Sequence, residues 1–256
     1  MITVETVDYI INILVLLMSY CISVMSANIF QAWVAKKMGD NTGEEDGFLS
    51  LDPLNHIDPL GLLFIVATGI GWGKHVRVNP FNIVGVHHRL RIFIAVCSDL
   101  IAYMGVAIVS MVMLLICNKD LRLLYHIAHV HGQNVSIDAF MNILDKQQQV
   151  AALTYFPFLT SVCASVELIL SSIIGISITL AIIYFFTDTL DTLIIIVAEE
   201  TQNDTLLRYC NSSNRLLVLL MLFLIFSMFV FDYFYSVLFH FVQRSGIVIV
   251  HWLGIV

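Results

Sequence analysis

The strongest constraint on this chain is the length of its apolar runs. Tyr9 to Ala35, Ile92 to Cys117 and Leu216 to Phe241 each exceed the roughly 20 residues that cross the hydrocarbon of a bilayer, and Val150 to Val197 is about twice that length. Hydrophobic residues make up 59% of the 256 and charged residues only 12%, about half the charge of a typical soluble domain. A water-soluble core cannot absorb this much apolar surface, whereas a bilayer can. Inside a bilayer the backbone must satisfy its own hydrogen bonds, which favours helices. The expected fold is all-α: a polytopic transmembrane helix bundle with four clear spans, forming a single membrane-embedded domain over residues 1–256.

The segments between the runs refine this picture. Leu60 to Trp72 is apolar but short, and it carries Gly61, Gly69 and Gly71 with Gly73 just beyond. It reads as a re-entrant or half-crossing element rather than a span. The long run Val150 to Val197 is expected to bend at Phe156-Pro157-Phe158 and to break near Thr187-Asp188-Thr189. An amphipathic helix is expected at Ile137 to Leu144. Met1 to Asp8 has no Lys or Arg and no small-residue cleavage site ends the first run, so that run reads as a retained span rather than a signal peptide. Lys36 and Lys37 follow the first span, and Lys74, Arg77, Arg89 and Arg91 follow the glycine-rich piece. Positive loops face the cytoplasm, so the N-terminus is expected outside.

The net charge of -7 comes from dispersed acids, and no basic patch is interleaved with aromatics, so no nucleic-acid partner is expected. The five cysteines form no C-x-x-C pair and mostly lie in apolar runs, as inert buried thiols do.

The segment after the first span is the most specific. It contains Gly39-Asp40-Asn41-Thr42, then Gly47-Phe48-Leu49-Ser50-Leu51-Asp52-Pro53-Leu54-Asn55-His56-Ile57-Asp58-Pro59-Leu60-Gly61, then Gly71-Trp72-Gly73-Lys74-His75-Val76-Arg77-Val78-Asn79-Pro80. This ordered set resembles the short bacterial form of the site-2 proteases, which are intramembrane zinc metalloproteases. The resemblance is dense over residues 32–80. It implies a multi-pass protein of the bacterial inner membrane, concerned with regulated intramembrane proteolysis. In that family an H-E-x-x-H on the first core helix supplies two zinc ligands and a general base. An Asp in a later L-D-G motif completes the ligand set and leaves one position open for water.

Carried over residue by residue, the resemblance withholds this chemistry. The H-E-x-x-H positions fall on Ala27, Asn28 and Gln31, so no imidazole and no general base is present there. The P-P-L-D-G motif falls on Asp188-Thr189-Leu190-Asp191-Thr192, which retains only Asp191 as a vestigial ligand. Alanine has no donor atom, amides are weak zinc ligands, and Asn28 cannot take and return a proton as Glu does. The expectation is a non-catalytic pseudoprotease that binds transmembrane segments, with no cofactor. Its partners would be the lipid bilayer and a single-span membrane protein or its helix. An alternative is an active metalloprotease that holds zinc at an atypical site. A third is a small transporter built on the intramembrane acids Asp99, Glu167, Asp191 and Asp232, with Asp188 at the expected helix break.

Other polar residues carry two readings each. His126, His129 and His131 form either a metal cluster or a solvated helix end. His56 and Asp58, with Pro59 and Gly61, form either a loop beside the site, as the resemblance implies, or a turn that satisfies backbone groups.

Overall fold

The computed structural model describes residues 4–69, 71–130, 135–151, 157–201 and 215–254; along parts of the helices, including 188–196, only the backbone is described. The described chain is helical, in the order α1 (Val4–Met38), α2 (Thr42–Glu45), α3 (Pro53–His56), α4 (Pro59–Thr68), a 3-10 turn (Pro80–Asn82), α5 (His88–Val96), α6 (Ser98–Cys117), α7 (Lys119–Val130), α8 (Ile137–Ala151), α9 (Pro157–Thr201) and α10 (Arg215–Trp252). Among the described residues, four segments are long and apolar enough to cross a membrane: Tyr9–Met38, Ser98–Cys117, Ser165–Thr187 and Asp232–Trp252. The chain is therefore a multi-pass, all-α membrane protein. The apolar helix Pro59–Thr68 is too short to span and stands apart from these four.

One expectation is corrected. The backbone does not break at Thr187-Asp188-Thr189; α9 runs through it to Thr201. The reason is local. No Pro or Gly occurs there, and the Thr187 hydroxyl donates back to the carbonyls of Ile183 and Tyr184, which satisfies it without opening the helix. Residues 152–156 lie outside the described set, and the expected bend falls at their edge, where Pro157 opens α9 as a first-turn proline can. The segment after Cys117 holds two helices, α7 and α8, and α8 contains the expected Ile137 to Leu144 segment. The run Ile92 to Cys117 is two helices, with Cys97 between α5 and α6.

The chain divides into two compact units. One comprises residues 1–23, 104–178 and 236–256; the other comprises 24–103 and 179–235. In the first unit, small and polar side chains join the helices, as is usual where lipid gives apolar contacts no special advantage. Ser177 donates to Ser23 (3.0 Å), Ser23 donates to the Ser19 carbonyl (2.8 Å), and Gly246 lies against Met111 and Leu115. Phe140 of α8 packs edge-on against Phe239 of α10 (5.4 Å). Glu167, buried within a span, accepts from Asn118 (3.0 Å), whose own oxygen accepts from the backbone N–H of Leu121 in the first turn of α7.

The second unit holds every motif that the resemblance rests on. Its helix ends follow directly from the sequence. Gly39, at φ +105°, ends α1: its N–H returns to the Lys36 carbonyl and that of Asp40 to the Ala35 carbonyl, the paired bonds of a Schellman cap. Lys36 and Lys37 in the last turn complement the helix dipole. The tripeptide Asp-Pro-Leu occurs twice and builds the same start each time. Asp52 accepts from the Leu54 N–H and Asp58 from the Gly61 N–H, and the proline after each takes the first helical position.

Candidate functional site

The glycine-rich piece turns back on itself. After α4, Gly69 at φ +79° caps the helix and the chain returns extended, so that Gly73 pairs antiparallel with Ile57 and the Lys74 N–H reaches the His56 carbonyl at 2.8 Å. This hairpin is packed backbone to backbone. A Cβ on Gly61 would fall on the Trp72 carbonyl, one on Gly71 on the Gly61 carbonyl, and one on Gly73 on Val24 of α1. Only glycine permits such approaches. The geometry is that of an element that enters and leaves from one place, as a re-entrant segment must.

The three positions that replace the H-E-x-x-H residues lie on α1 beside this hairpin, and all are buried. Ala27 contributes a methyl group. Asn28 donates through Nδ2 to the Lys74 carbonyl (2.9 Å), and Gln31 donates through Nε2 to the Val96 carbonyl (2.8 Å). A carbonyl only accepts, so each amide must turn its NH₂ towards its partner. Asn28 therefore pins the returning arm of the hairpin to α1, and Gln31 pins the end of α5. These side chains do not fit a zinc ion: one has no donor atom, and the other two are committed to the backbone as hydrogen-bond donors. Among the described residues no group of three or more His, Cys, Asp or Glu side chains is placed to hold a metal.

His56 is fully buried at the end of α3. Its Nε2 lies 2.9 Å from the Ser50 carbonyl and so carries the proton, and its ring meets Phe48 edge-on at 5.7 Å. No hydrogen-bond partner for its Nδ1 is found. Asp58 caps α4, Pro59 opens it, and Gly61 is the close-approach residue of the hairpin. Asp191 lies on α9, with its side chain outside the described residues; the same holds for His126 and His129 on α7, and His131 is outside altogether. Of the intramembrane acids, Asp99 is buried in the first turn of α6 and accepts from the Leu100 N–H, and Asp232 is exposed.

Two residues with structural weight at the site were not singled out from the sequence. Tyr184 of α9 is buried, and its hydroxyl both donates to the Gly73 carbonyl (3.0 Å) and accepts from the Gly73 N–H (3.1 Å), so one side chain satisfies both backbone groups of that glycine. Its ring stacks on Tyr103 at 5.6 Å and lies near-parallel to His75 at 6.2 Å. The available signal was a tyrosine inside an apolar run, whose hydroxyl needs a partner when buried. The second is Asp40, at the foot of α1. Its carboxylate accepts from the Thr42 N–H and hydroxyl, the Asn82 amide and the Asn79 N–H, at 2.6–3.1 Å. Burial pushes this carboxyl up, but the four hydrogen bonds outweigh that and hold its pKa below the ordinary value. The Gly-Asp-x-Thr and Val-Asn-Pro motifs thus meet at one carboxylate.

No family model matches the chain, and no solved structure matches it. Over 64 residues it is 36% identical to a Bacillus subtilis (strain 168) protein named "Putative zinc metalloprotease YwhC". The aligned stretch is 25% of this chain and 29% of that protein, so the chain matches less than a third of its relative's length, and the similarity is to a part of it.

Proposed function

We propose that this chain is a site-2-protease-like protein of a bacterial inner membrane that binds transmembrane segments of other membrane proteins without hydrolysing them. The observation that carries this reading is the commitment of Asn28 and Gln31 to the carbonyls of Lys74 and Val96. Hydrolysis by the family's route needs a metal-activated water and a base to take its proton. Where the resemblance puts an imidazole, a carboxylate and a second imidazole, this chain has a methyl group and two structural amides. What it keeps of the family pattern is shape: the two capped Asp-Pro-Leu turns, the glycine-packed hairpin and the Asp40 junction. The similarity to a protein named as a zinc metalloprotease supports the scaffold half of the proposal. The kept shape supports a transmembrane segment as the ligand.

The test uses the purified chain in nanodiscs with a single-span membrane helix that carries a photo-crosslinking residue. The expected result is a crosslinked adduct containing the intact helix, with no new peptide termini by mass spectrometry. Cleavage that Asp191→Ala abolishes would overturn the proposal, as would the absence of any adduct across a panel of helices.

A further inference from the structure

Three polar side chains meet between α7 and α10 in the first unit. His240 and Gln243 lie one turn apart on α10, with the His240 Nδ1 3.1 Å from the Gln243 Oε1. Tyr125 comes from α7, and its hydroxyl meets the Gln243 amide. Tyr125 and Gln243 are each only 3% exposed. Yet neither the Tyr125 hydroxyl nor the Gln243 Nε2 makes a hydrogen bond to the described residues. Two donors face each other here, and even a bond from Nε2 to the hydroxyl oxygen would leave the O–H without an acceptor. Native proteins rarely bury a donor in that way.

An amide presents an acceptor and a donor at two ends of the same shape. Turned over, Gln243 donates through Nε2 to the His240 Nδ1 and accepts the Tyr125 proton at Oε1, and every group is paired. That arrangement needs a lone pair on Nδ1, and so a neutral His240 with its proton on Nε2. A second proton makes Nδ1 a donor. Gln243 must then face it with Oε1, and the Tyr125 O–H loses its acceptor. Burial pushes the Tyr125 hydroxyl up from its ordinary pKa, so it keeps its proton. We infer that Tyr125, Gln243 and His240 form a proton-controlled latch on α7, closed while His240 is neutral and weakened when His240 takes up a proton. Of the α7 side chains described, Leu121 and Tyr125 are the buried ones, four residues apart on one face, so the helix has little else to hold it. Gly246, one turn beyond Gln243, lies against Met111 and Leu115 in the last two turns of α6. The trio therefore sits near the end of that span, and His240 is half-buried, within reach of protons from water. Imidazole is the side chain that ordinarily changes charge between about pH 5 and 8. Phe239 meets the His240 ring edge-on at 6.4 Å and is itself covered by Phe140 of α8, and neither ionises. Arg244 of α10 is exposed. The other ionisable groups at α7 are its own Lys119, Asp120, Arg122, His126 and His129, and Glu167 of α9, which reaches it through Asn118.

Two measurements on the full chain in nanodiscs test this. With nitrogen-15 in the histidine rings, and the His240 signals identified by their loss in His240→Asn, NMR at about pH 8 should show a bare Nδ1 and a protonated Nε2. Hydrogen exchange of the α7 amides, corrected for its intrinsic pH dependence, should show about tenfold less protection at about pH 5 than at about pH 8, the effect of stranding a buried donor. His240→Asn has a side-chain oxygen that accepts from Gln243 at either pH, and Tyr125→Phe has no hydroxyl to strand, so neither variant should show the drop. A proton on Nδ1 at about pH 8 overturns the inference. Equal protection at the two pH values also overturns it, as does a drop that persists in either variant, which would assign the response to Glu167 or another ionisable group.

Discussion

Asp40 shows how one side chain can organise a loop region. It is fully buried, yet it stays ionised because four donors from three other residues converge on it. Replacing it with Asn turns an NH₂ towards one of those donors, and a buried donor left unpaired costs about 1–3 kcal/mol. Asp40→Asn should therefore lower the melting temperature of the purified chain at neutral pH. The pH dependence has a definite sign. A carboxylate whose native pKa is depressed contributes its full stability above the unfolded value of about 4 and loses it as the pH falls through the native value. The stability gap between the natural chain and Asp40→Asn should thus be constant from pH 7 to about 5 and narrow below about 4. Thermal unfolding in detergent across that range checks this, and a gap that persists unchanged at low pH would contradict it. The motif around Asp40 was visible in the sequence, but its role was not. The partners Asn79 and Asn82 lie some 40 positions away, and only the fold shows that they converge on one carboxylate.

Among the elements, the hairpin of α4 and its returning arm was the most legible. Its brevity and its glycines exclude a span, whereas that each Asp-Pro-Leu starts a helix is seen only in the fold. Less legible was what the glycines touch, because the close approach of Gly61 to Trp72 is a tertiary fact. Gly61→Ala should destabilise the chain by about 3 kcal/mol or more, since the new methyl group meets backbone that cannot move aside. Gly105→Ala in α6, where nothing lies within 4 Å of the new Cβ, should be near neutral. Equal melting temperatures for the two variants would mean that the hairpin is not packed in this way. The continuity of α9 was misread for a specific reason. A pair of polar residues in an apolar run suggests a break, but Thr back-bonds to the preceding turn and nothing else in 187–189 interrupts a helix. The P-P-L-D-G pattern that the resemblance lays over 188–192 has two prolines and a glycine, and this chain has none of the three there.

At the scale of the whole molecule, the four candidate spans follow from run length, and the sidedness is an expectation from the placement of Lys and Arg. One spanning helix, α6, separates the exposed positions Arg89 and Lys119. A membrane-impermeant thiol reagent should therefore label Arg89→Cys and Lys119→Cys, each as the single cysteine, from opposite faces of oriented vesicles. Labelling from the same face would remove α6 from the spans. The functional account is less legible at this scale, because the likeness reaches only 64 residues and the activity in the relative's name is that of the relative. The decisive quantity is the zinc content of the purified chain, measured by inductively coupled plasma mass spectrometry after growth with added zinc and removal of any metal-binding tag. The account predicts no stoichiometric zinc in the natural chain, and a gain of zinc when Ala27→His, Asn28→Glu and Gln31→His are combined. One zinc per natural chain, lost on Asp191→Ala, would contradict it.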